Sequence, residues 1–97
     1  VTAEVVTIRN KVAEKQAVRL DGSNADEVRE WIISGMTETG TRGSVYLASG
    51  DNEGGVILPT LEGTMTAQVG DWVVKGVQGE FYPVKDSVFQ KSYDIVG

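Results

Sequence analysis

One segment of this chain repeats its apolar side chains with a helical period. In SNADEVREWIISG, residues 23–35, Val28, Trp31 and Ile32 fall at i, i+3 and i+4 and form one apolar face. Ser23 or Asn24 is placed to cap it. Asp26 and Glu27 occupy the first turn, where the helix dipole favours carboxylates. Gly35 suits the residue just past the end. The spacing predicts a helix over about residues 24–34. A helix of some three turns does not persist alone in water, so it must dock on other elements.

What remains to receive it is extended. VVTI is β-branched, and KQAVRL brings in Ala17, Val18 and Leu20 before the Asp21-Gly22 turn signal. RNKVAEK between them reads as a bend or as continuous strand. MTETGTRGS reads as a loop, SVYLAS as a strand and GDNEGG as a glycine-rich hairpin tip. From Gly55 onward the pattern is an antiparallel meander. GVILPTLEG is followed by TMTAQV, which sets Met65, Ala67 and Val69 on one face. Gly70-Asp71 turns the chain into WVVKG, and Val77-Gln78-Gly79 turns it into EFYPV. KDSVFQKSY predicts a short C-terminal helix capped by Asp86 and anchored by Val88 or Phe89, and DIV an edge strand. The order of elements gives an α+β fold. A mainly antiparallel, twisted sheet carries the main helix on one face. Ninety-seven residues make a single small domain, 1–97.

The totals narrow the chemistry. The chain has no cysteine and no histidine. Disulfides, thiolate catalysis, zinc–sulfur sites and any Ser-His-Asp arrangement are thereby excluded. Carboxylate, lysine, tyrosine and hydroxyl groups are left. Asp26 with Glu27 is explained by capping, and Asp51 with Glu53 lies in a loop that lacks the spacing of a calcium hand. GTRGS and VKGVQGE match no phosphate-binding fingerprint. No cofactor and no metal are therefore expected, and enzymatic turnover is not. Nine basic residues against fourteen acidic ones, a net charge of −5, disfavour general nucleic-acid binding. The longest apolar runs, WIIS and GVILP, are core-sized, so no membrane association is expected. VTAEVVTIRNK does not have the make-up of a signal peptide.

Two stretches carry a resemblance. IRNKVAEKQAVRLDGSNADEVREWI, and more closely TLEGTMTAQVGDWVVKGVQGEFYPVKDSVFQKSYDIV, resemble a widespread family of small phage and prophage proteins. That family reads Gly-Asp-Trp, two β-branched residues, Lys-Gly-Val-x-Gly-Glu-Phe-Tyr-Pro, as residues 70–83 do here. This chain departs from it at Ile8, at Ala13 or a neighbour, and at Leu20, where the family has tyrosine, proline and tryptophan, and over Val84 to Ser87. The resemblance implies phage origin and a place in the bacterial host cytoplasm or in the virion. It supplies no reaction.

Within residues 70–89, alternation divides the aromatics between two faces. Trp72 and Phe81 are expected in the core, tying the sheet to Val28, Trp31 and Ile32. Tyr82, Lys75 and Lys85 are expected as an exposed cluster for a partner or a small anionic ligand. The reading that follows is a non-enzymatic phage accessory protein that docks on a host or phage protein. A binder that sequesters a nucleotide signal of host defence, and a virion decoration component, are the alternatives. A homo-oligomer stays open.

Overall fold

The computed structural model describes residues 3–9, 14–40 and 43–96. Its elements run β1 (Val6–Arg9), β2 (Glu14–Arg19), α1 (Ala25–Thr39), β3 (Tyr46–Leu47), β4 (Val56–Thr60), β5 (Gly63–Ala67), β6 (Trp72–Lys75), β7 (Phe81–Val84), α2 (Asp86–Ser92) and β8 (Asp94–Val96). The fold is α+β, and every strand pair in it is antiparallel. A five-stranded sheet has the order β7-β6-β2-β1-β8, and a three-stranded sheet the order β3-β4-β5.

The hairpins expected of the C-terminal half are present, β4 with β5 and β6 with β7. Between them the chain changes sheets. At Gln68–Asp71 the Gln68 N–H donates to the Asp71 carboxylate at 2.9 Å, and the Asp71 N–H returns to the Gln68 carbonyl at 2.9 Å. Leu20 N–H then donates to Asp71 O, and Gly70 N–H to Leu20 O. The end of β2 thus captures the turn, so β6 pairs with β2 and not with β5. RNKVAEK falls mostly on residues 10–13, outside the described residues. The flanking runs are separate strands, with Arg9 opposite Glu14.

The main helix is longer than its periodicity predicts. It runs on through Gly35 to Thr39 and takes in the first part of the expected loop. Gly40 ends it in the left-handed conformation, φ 73°. Gly35 has a different task. A Cβ there would meet the ring of Phe81, with Cε2 at 2.9 Å, so glycine lets strand β7 approach the helix. Asn24 holds the N-cap position, but its side chain does not cap. Lys85, not Asp86, is the N-cap of α2.

Two cores lie on opposite faces of the five-stranded sheet. On one face Val18, Leu20, Val73 and Phe81 pack with Val28, Ile32 and Met36 of α1 and with Val56, Leu58 and Ala67 of the smaller sheet. On the other, Ile8, Ala17, Trp72 and Val74 pack under Phe89 of α2. This corrects the shared core expected for Trp72 and Phe81. Register sets Lys75 opposite Phe81 and Trp72 opposite Val84, so the two rings point to opposite sides. Phe81 meets Trp31 edge-on at 5.2 Å, as a helix-to-sheet contact should, and Trp72 belongs to α2. Of the face predicted for TMTAQV, Ala67 alone is buried, because β5 is an edge strand.

Candidate binding surfaces

The structure disperses the trio expected from sequence. Lys75 lies on the α1 face of the sheet, where its ammonium stands 3.8 Å from Glu38 and 6.0 Å from the Phe81 ring centre. Tyr82 lies on the α2 face, opposite Val74. Lys85 leads into α2, is 71% exposed and has Asp71 at 4.0 Å. The three form no common site.

Tyr82 nevertheless has a lysine. Lys15 on β2 donates from Nζ to the Tyr82 hydroxyl at 3.2 Å, and that hydroxyl is 3.4 Å from the hydroxyl of Tyr93. The same ammonium stands 5.9 Å from the Tyr82 ring centre and 5.6 Å from that of Tyr93, within cation–π range. Three elements build this cluster. Lys15 and Ala17 share a strand face, Tyr82 reaches across β6, and Tyr93 follows the last turn of α2, its ring 5.2 Å from Phe89. Burial pushes the Tyr82 phenol well above the usual tyrosine range, and its bond to Tyr93 and the charge of Glu80 push the same way. The phenol therefore holds its proton at neutral pH. Alternation in EKQAVR puts Lys15 on the strand face of Ala17, but with Ala17 and Val18 both apolar the sequence does not distinguish that face from the other.

A groove of about 370 Å3 opens beside edge strand β7. Tyr82 and Pro83 of β7 form one wall, and Leu61 and Met65 of the β4–β5 hairpin the other. Leu61 is 76% exposed and Met65 37%. The hairpin tip is held by Thr60, whose hydroxyl donates to Gly63 O at 2.6 Å and accepts from Glu62 N–H at 3.1 Å. Glu62 and Glu80 are the charged residues of the lining. One Glu80 oxygen accepts from Gln78 N–H at 3.0 Å, which folds its carboxylate over Gly76. An apolar Leu61 in a turn otherwise fit for polar residues was the sequence sign of this surface.

Among the described residues no three histidine, cysteine or acidic side chains come together to hold a metal, and no helix is long and apolar enough to cross a membrane. Compared with the models of known families, with curated proteins and with solved structures, the chain matches none.

Proposed function

We propose that the protein is a non-enzymatic interaction module of phage origin that receives a segment of a host or virion protein. The groove beside β7 is the docking point, and its occupant is a basic segment carrying an apolar side chain. One observation carries this reading: Leu61 and Met65 stand exposed in a groove that they line together with Tyr82, and the charges of that lining are carboxylates, Glu62 and Glu80. An apolar side chain gains roughly 1.5–3 kcal/mol by full burial, and the lining carboxylates favour a basic neighbour beside it. A cavity of this size takes one or two anchoring side chains, as the centre of a larger contact does. The resemblance of residues 70–83 to phage proteins supports the choice of partner and a location in the host cytoplasm or the particle.

The test is a titration followed by amide NMR, with capped hexapeptides that alternate leucine with arginine or leucine with glutamate. The arginine series is expected to saturate shifts at Leu61, Met65 and Tyr82, and Leu61→Asp to abolish them. Equal binding of the glutamate series, or shifts confined to another surface, would overturn the proposal.

A further inference from the structure

We propose that Lys15, Tyr82 and Tyr93 form a binding site for a phosphate-type oxyanion, inorganic phosphate or a phosphate monoester. The site shares Tyr82 with the groove but draws on donors of Lys15 and Tyr93 that the groove does not use. The Lys15 ammonium has three N–H donors and spends one on the Tyr82 hydroxyl. The two phenols share one hydrogen bond, so whichever hydroxyl donates, the other keeps its O–H for an outside acceptor. Two N–H donors and one O–H are therefore left within a cluster whose polar atoms are spaced 3.2 and 3.4 Å apart. Among the described residues no carboxylate lies within ion-pair reach of Lys15. The nearby carboxylate, that of Glu80, is turned into its own loop by the Gln78 N–H.

A tetrahedral oxyanion matches this set better than any neutral group. It brings several acceptor oxygens and no net need for a donor, and its charge offsets that of a lysine whose partners are otherwise two neutral phenols. The cluster is half-buried, which strengthens charge-assisted hydrogen bonds and leaves an opening to solvent. It is also preorganised. The backbones of Lys15 and Tyr82 are held in paired strands, the ammonium by its bond to the Tyr82 hydroxyl, and the Tyr93 ring rests against buried Phe89.

The experiment is a titration with inorganic phosphate at constant ionic strength, held with potassium chloride, followed by amide NMR. Saturable, millimolar-range shifts are expected at Lys15, Tyr82 and Tyr93, and methyl phosphate should reproduce them. Lys15→Met keeps the apolar stem and removes the charge; it should weaken binding by at least about tenfold, the scale of one charge-assisted bond. Tyr93→Phe keeps the ring on Phe89 and should weaken binding several-fold, so it decides the matter if the lysine variant does not fold. Acetate at the same concentrations should not saturate. Shifts that stay linear, that map elsewhere, or that survive Tyr93→Phe unchanged would overturn the site. Acetate binding as tight as phosphate would overturn the ligand class.

Discussion

The indole of Trp72 lies flat against the ring of Phe89, with centroids 3.9 Å apart and planes 1° from parallel. The same indole donates from Nε1 to Asp86 at 2.9 Å. Trp72 thus grips α2 at both its first residue and its middle. Seven residues cannot hold a helix unaided, so this grip is what gives α2 its place.

Phe89→Ala should therefore cost about 3–5 kcal/mol, the usual range for deleting a buried aromatic ring. Urea unfolding measures it. Because Tyr93 leans on Phe89, the same variant should also free the Tyr93 ring and loosen its hydroxyl from Tyr82. A loss below about 1 kcal/mol would mean that α2 is held by other contacts.

The carboxyl of Asp86 is held below its ordinary value of 3.8 by the Trp72 N–H first, then by Gln90 and the charge of Arg19. A lowered folded-state value means that the charged form is favoured by folding. Its contribution is fully present above pH 3.8 and is lost as pH falls through the lower folded value. Asp86→Asn should be less stable than wild type at pH 7, and the gap should narrow below pH 3.8. Asp21, held low by Ser23, gives the variant a residual slope of its own. The difference between two thermal-melt series against pH is the measurement.

How far the sequence could be read depends on the range of the forces concerned. Periodicity and turn residues are local, and they located the helix face of Val28 and Ile32, the β6–β7 hairpin and the short last helix. The side to which Trp72 points is local as well, being fixed by alternation with Val73. What alternation leaves undetermined is which helix lies on that side. That choice depends on β6 pairing with β2, a contact across about fifty residues set by Leu20 and Asp71. The binding surfaces were dispersed for the same reason. Lys15 meets Tyr82 across 67 positions of sequence, whereas Lys75 and Lys85, close to Tyr82 in sequence, are carried away from it by register and by the exit into α2.

Gly35→Ala sets two effects against each other. Alanine is the better helix former by roughly 1 kcal/mol in an exposed helix interior. Here the new methyl would enter the space of the Phe81 ring, which is buried and braced edge-on by Trp31. Overpacking of this kind costs about 1–3 kcal/mol, so the clash outweighs the propensity. A lowered melting temperature is expected. Gly35→Ala combined with Phe81→Leu should recover part of it, and a melting temperature above wild type for the single variant would contradict the packing described.

Asn24 offers the sharpest distinction between local and long-range roles. By position it is the N-cap of α1, where asparagine and aspartate serve equally well. Its side chain is buried and does something else. Nδ2 donates to the Arg19 carbonyl at 2.8 Å, and Oδ1 accepts from the Asp21 N–H at 3.1 Å, which clamps the end of β2 to the start of α1. Aspartate can accept from Asp21 but cannot donate to Arg19, and it would leave that carbonyl facing a negative charge. Asn24→Asp should therefore destabilise the protein by about 1–3 kcal/mol, comparably to Asn24→Ala. Chemical denaturation of the two variants side by side decides it. If aspartate is neutral and alanine costly, the residue is an ordinary cap, and the clamp between sheet and helix is not what fixes this corner of the fold.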